Sequence, residues 1–241
     1  MPPKTHRSGL IKVNKNVIYT SIYGKKDNLK EPLFTSDGWD YICFTDNPNL
    51  KSNIWKIVHS KPIHKDPVRS AKIFKALPHA YLQEYDISIW IDANFIIKND
   101  INALLHKLNQ LKERNMFVFQ HDQGRNCIYD EAVVVKEDQK DDPLIIEKQM
   151  LKYRDENYPE QNGLTANSIL IRRHNEADIV DLSELWWSEI EKHSRRDQLS
   201  FCYCLWKLGT SYMMAKYPTL DIRNNPWFQW SPHNYELQEW S

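Results

Sequence analysis

Neither sign of charge is in excess in this chain of 241 residues, where 32 lysines and arginines balance 32 aspartates and glutamates. Such a chain carries no overall basic field, which disfavours general binding to nucleic acid or anionic membranes while leaving room for a local basic patch. Long apolar runs are missing as well. No stretch approaches the roughly 18–20 residues of a bilayer-spanning helix, and the opening MPPKTHRSGLIKVNKN lacks the apolar core of a secretory signal. A cytoplasmic chain without a transmembrane segment is expected, one that meets a membrane face only through a partner. Cysteine is sparse: Cys43, Cys127, Cys202 and Cys204 show no C-x-x-C spacing, so reduced core thiols are expected rather than a disulfide framework. Internal repeats and low-complexity tracts are absent too.

What is present is enough apolar residue, 41% of the chain, to bury one large core, and a single domain is expected. Three segments divide the chain: a loose basic arm at 1–15, the domain at 16–217, and a Trp-rich tail at 218–241 docked on it. Runs of β-branched and aromatic residues at 17–23, 39–46 and 54–59 read as strands. Asp66-Pro67 and Asp142-Pro143 each open a helix, because the carboxylate caps free N–H groups and proline fits the first helical position. Further helices are expected from about 101 to 112, from 176 to 193 and after 197, with strands at 116–121, 168–171 and 211–216. The secondary structure of 120–142 stays open. Strands alternating with helices give an α/β fold with a mostly parallel central sheet.

The organising stretch is 87–97, ISIWIDANFII, an apolar run broken by one carboxylate and an amide. Read as a strand, it points Asp92 and Asn94 to the same side and Ala93 to the other. Oxygen ligands at a strand end suit Mg or Mn chelated together with a diphosphate, whereas a turn or helix cap is the plainer alternative. On the helix after Asp66, Arg69 and Lys72 share a face opposite Ile73, Phe74 and Leu77, and two basic residues so placed commonly form only a solvated face. His121, Arg125 and Tyr129 cluster beside Glu131, either as a ligand-binding group or as a surface loop with weak ion pairs. Six tryptophans in the last quarter, including Trp186, Trp227 and Trp230, either pack or stack on a flat ligand.

The motifs VIYTSIYG, WDYICFTDN, RSAKIFKALPH, SIWIDAN, CIYDEA, GLTANSILIRRHN and SRRDQLSF, in this order, resemble a glycosyltransferase-like family. That family is shared by bacteria and by plant proteins linked to mucilage polysaccharides and turgor regulation, and the resemblance covers about 17–201. It implies a GT-A-like, Rossmann-like sheet that binds a nucleotide-diphosphate sugar, with UDP the nucleotide by analogy, and an Asp-x-Asp motif holding a divalent cation. The partners implied are that donor and a hydroxyl acceptor on a glycan or another molecule. Asp92 and Asn94 match the Asp-x-Asp position, with Asn94 replacing the second carboxylate. By the same resemblance Thr20, Ser21 and Tyr23 line the nucleotide, Asp46 meets the base, and Arg69 and Lys72 approach the phosphates. His121, Arg125 and Tyr129 would then bind sugar or acceptor. His233 would be a C-terminal metal ligand, although a lone loop histidine is more often structural.

Asp197-Gln198 matches the late acidic motif that carries or orients catalysis. Ser194-x-x-Asp197 is equally a capping-box pattern. In an inverting enzyme Asp197, or else Glu131, would deprotonate the acceptor; in a retaining one Gln198 would support the departing or arriving group. Two other functions compete: a metal-dependent hydrolase built on Asp92, His121, Glu131 and His233, and a non-catalytic glycan-binding module using the C-terminal tryptophans.

Overall fold

The computed structural model describes residues 15–25, 27–108, 114–121, 124–210, 214–217, 222–223 and 225–232. In chain order the elements are β1 (Asn16–Ile22), β2 (Trp39–Thr45), β3 (Lys56–His59), α1 (Pro67–Ala76), α2 (Pro78–Tyr81), β4 (Ile87–Ile91), β5 (Phe95–Ile97) and α3 (Ile101–Lys107). There follow β6 (Met116–Gln120), α4 (Ile128–Glu137), α5 (Pro143–Asp155), β7 (Thr165–Arg172), α6 (Ala177–Lys192), α7 (Gln198–Lys207), β8 (Met214–Tyr217) and β9 (Phe228–Trp230). Seven strands form one sheet in the order β3-β2-β1-β4-β7-β6-β8, and β5 pairs with β9 beside it. Only β7 runs against its neighbours β4 and β6; the other pairings of the large sheet are parallel. This is the expected α/β class, a mostly parallel central sheet flanked by helices in a single domain.

The period of two in β1 divides the core. Val17 and Tyr19 point to the side packed by α1, α4, α5, α6 and α7, where Phe74, Ile146, Trp186 and Phe201 bury. Ile18 and Ile22 point to the other side, where Ile101 and Leu104 of α3 pack with Trp227 and Phe228. A strand buried on both faces has to be apolar throughout, which is why VIYTSI reads as an unbroken run.

Local sequence accounts for the helix starts. Asp66 caps α1 by accepting from the Val68 N–H at 2.9 Å, Asp142 caps α5 from Leu144 at 2.8 Å, and proline follows each cap. Helix α1 stops at Leu77, just before Pro78, which opens α2 instead. Residues 128–137, left open by periodicity, are helical, and α3 ends at Lys107.

The stretch 87–97 is two strands. The β4 pairing ends at Ile91, the Asp92 N–H still donates to the Ser168 carbonyl at 2.8 Å, and the chain turns as Phe95 N–H closes onto the Asp92 carbonyl at 3.0 Å. Beyond the turn β5 leaves the large sheet for β9. The alternation that was to aim Asp92 and Asn94 the same way therefore stops at Asp92. Among the described residues no helix is long and apolar enough to cross a membrane.

Candidate functional site

Strand β1 is joined to β2 on one side and β4 on the other, so a crevice opens outside the carboxyl ends of β1 and β4. A cleft of about 440 Å³ lies there, within the range of small-molecule sites. Ser21 and Tyr23 from the end of β1, and Trp90, Asp92 and Ala93 from the end of β4, form one part of its lining. Pro67, Lys72 and Lys75 of α1 face them, with Lys140 and Arg196 contributed by the loops after α4 and before α7.

Close backbone approach shapes the entrance. Gly24, at φ +66°, follows β1 so tightly that a Cβ there would meet Pro67 Cβ at 2.5 Å. Asp46 fixes this loop, its two carboxylate oxygens each accepting from the Gly24 N–H at 3.2 Å. Tyr23 donates to or accepts from the Ser60 hydroxyl, and the Ser21 hydroxyl donates to the Ala71 carbonyl at 2.8 Å, tying β1 to α1.

Charge converges behind this frame. Lys75 is almost fully buried, 3% exposed at its side chain, and its Nζ lies 3.3 Å from Asp92 Oδ1, 2.7 Å from Asp197 Oδ2 and 5.5 Å from the Trp90 ring centroid. Lys72 Nζ contacts the other Asp197 oxygen. Trp90 Nε1 donates to Asp92 Oδ1 at 2.8 Å. Asp92 itself is 36% exposed and lines the cleft.

The charged states follow from who shares whom. Burial alone would raise the Asp197 carboxyl, but Lys72 and Lys75 together hold it well below the usual carboxylate range. Lys72 has a weaker bargain: burial pulls its ammonium down to about 8, because its one carboxylate partner is shared and Lys75 and Arg196 repel it. A carboxylate held so low by two cations is a weak base.

Several sequence expectations end elsewhere. Arg69 does not line the cleft; it donates to Asp66 at 2.9 Å and to the carbonyls of Ile190 and His193 at 3.0 and 2.6 Å, closing the end of α6. Asn94 is buried off the lining, and its carbonyl accepts from Ser231 at 2.8 Å. Thr20 is fully buried, facing the core. Asp197 starts α7 without a side-chain cap, so the capping box does not form; its carboxylate goes to the lysines beneath the cleft. Gln198 donates to the Thr165 carbonyl at 3.2 Å.

Glu131 is buried against Arg125 Nε at 2.7 Å and His121 Nε2 at 3.7 Å, and none of the three lines the cleft with Asp92. Tyr129 donates to the Tyr158 carbonyl at 2.9 Å and lies under the Arg154 guanidinium. Of the late tryptophans, Trp186 and Trp227 are core residues while Trp230 is 37% exposed. His233 lies outside the described residues.

The divalent cation implied by the Asp-x-Asp resemblance finds a poor donor set. Asp92 Oδ1 already accepts from an ammonium and an indole, the second position of the motif is off the lining, and four cationic residues on the lining outnumber Asp27 and Asp92. Among the described residues no three His, Cys, Asp or Glu side chains gather as a metal shell.

The periodicity reading missed Lys75, Trp90 and Arg196. Lys75 had a signal, being a third basic residue at the same spacing as Arg69 and Lys72. Arg196 sits in Ser194-Arg195-Arg196-Asp197, where the capping pattern drew attention to its neighbours.

Comparison with known proteins follows the same outline. A curated plant relative, "Probable hexosyltransferase MUCI70" of Arabidopsis thaliana, is 26% identical over 192 residues, covering 73% of this chain and 32% of the relative. The chain thus spans 32% of the length of that relative. The model of the TOD1/MUCI70, glycosyltransferase-like domain matches residues 4–224, nearly the whole chain, and the chain belongs to that family.

Proposed function

We propose that this cleft binds a nucleotide-diphosphate sugar, UDP-linked by family analogy, and transfers its hexose to a hydroxyl of a glycan or other acceptor. The observation that carries the reading is the meeting of Asp92 with Lys75 of α1, beside Lys72, at the carboxyl ends of β1 and β4. That is where parallel sheets receive ligands, and the lysines there supply the positive charge that a diphosphate leaving group needs. The donor's diphosphate lies along the lysine side. Asp92 Oδ2 accepts from a donor hydroxyl, while Oδ1 keeps Lys75 and Trp90 in place.

In the transfer, the bond from the anomeric carbon to the diphosphate oxygen breaks and its electron pair stays on that oxygen. The acceptor hydroxyl oxygen bonds to the anomeric carbon, and its proton passes to solvent. Negative charge grows on the diphosphate as it leaves, so fixed cations that meet it lower the barrier without reorganising. Orientation of donor and acceptor in the cleft supplies the rest.

The test is Asp92→Ala. Transfer, or slow hydrolysis of the donor in the absence of acceptor, is expected to fall at least about 100-fold, the scale of a lost transition-state contact. The side chain is partly exposed, so the variant keeps its circular dichroism. Undiminished turnover would remove the cleft from consideration.

A further inference from the structure

We infer that Lys72, Lys75 and Arg196 neutralise the donor's diphosphate by themselves, with no divalent cation in the site. The inference rests on the donor-site reading of the cleft and says what holds the charged part of that donor.

Three observations converge on it. Lys75 brings an ammonium into an almost fully buried position beside Trp90 on the cleft lining, a costly placement held by two carboxylates that also serve Trp90 and Lys72. Arg196 lines the same cleft with its Nε buried and, among the described residues, without a hydrogen-bond acceptor. Its planar fork suits phosphate oxygens. Finally, Lys72 and Lys75 share Asp197, Lys75 also contacts Asp92, and Lys75 and Arg196 both repel Lys72. An anion entering here relieves that repulsion, whereas a dication adds to it.

The other two charged groups on the lining, Lys140 and Asp27, add one charge of each sign. Lys140 is paired with Asp138 at 2.6 Å. Asp27 accepts from the Asn28 N–H at 2.9 Å. Asn94, where a second carboxylate would be needed to hold a cation, is off the lining.

The experiment is calorimetric titration of the full chain with UDP and, as a probe independent of the base, with inorganic pyrophosphate. Each is run once in EDTA and once in Mn. Equal dissociation constants in the two buffers are expected, within about threefold, and Arg196→Gln should weaken both ligands about tenfold in EDTA, the loss of one charge-assisted hydrogen bond. Arg196 is partly exposed, so this variant escapes the folding risk of replacing Lys75. A second variant, Lys75→Met with Asp197→Asn, removes one charge of each sign from the buried pair and should weaken both ligands as well. Binding that requires Mn and ignores Arg196→Gln overturns the inference and leaves the donor site standing. Absence of binding by both probes in both buffers overturns the donor site, and the inference with it.

Discussion

Asp197 and Lys72 touch each other, yet the contact protects their charges unequally. The Asp197 carboxylate sees two ammonium groups; Lys72 touches only that shared carboxylate and faces rival cations. Asp197 therefore stays ionised far into acid, while Lys72 gives up its proton near pH 8. Asp197, Lys75, Arg196 and Asp92 are the charged groups facing Lys72. A diphosphate placed against Lys72 adds negative charge and raises its value again. Binding then takes up a proton at alkaline pH. The sign follows: affinity for UDP is at full strength below about pH 8 and declines as pH rises through it, by up to tenfold per unit. Lys72→Arg should flatten that decline, since a guanidinium keeps its proton throughout this range. Titrations at pH 7 and pH 9.5 on both proteins decide it; an alkaline loss that persists in Lys72→Arg would assign the proton to another group.

The next scale is α1, whose three basic residues go three different ways. Three residues advance an α-helix by about 300°, so each basic position lags the last by about 60° and the stripe from Arg69 to Lys75 sweeps about 120° of the helix. Arg69 is thereby turned to α6, Lys72 toward Asp197, and Lys75 under Trp90. Reading Arg69 and Lys72 as one face was sound locally and too coarse to tell a structural arginine from a cleft lysine. Arg69→Ala is accordingly expected to cost about 1–3 kcal/mol of stability, from two part-buried carbonyls left without their donor, while UDP affinity stays within about twofold. Urea denaturation beside calorimetry measures both; a large loss of affinity at unchanged stability would return Arg69 to the phosphates. The capped starts at Asp66-Pro67 and Asp142-Pro143 were legible because a cap is made by residues two or three apart. The end of β4 was not, because it depends on Ser168 of β7 and on the pairing of β5 with β9, both far away in the chain. For the same reason the apolar flanks of Asp92 marked it for attention, and it does line the cleft, whereas the identity of its partner Lys75 could not be read. The buried trio of Glu131, Arg125 and His121 shows the converse: proximity in sequence was correct, and burial decided that the charges serve one another.

At the scale of the whole molecule, both faces of one sheet are covered, and β1 and β4 supply side chains to each core. Neither core survives loss of those strands, so the two faces should unfold together despite the length of the chain. The cleft sits at the ends of the same two strands and against α1. A ligand there binds the folded state through its most central elements, and its binding energy is shared by the entire fold. UDP at 100 times its dissociation constant should stabilise the protein by about 2.7 kcal/mol. For a chain of this size that corresponds to an unfolding temperature about 5–11 °C higher. Tryptophans report on both faces: Trp90 and Trp186 in one core, Trp39, Trp55 and Trp227 in the other. Fluorescence and far-ultraviolet circular dichroism should consequently trace one transition, displaced equally by the nucleotide. Two separated transitions, or a displacement seen by only one probe, would mean that the faces are held by different parts of the chain and that the cleft is coupled to just one of them.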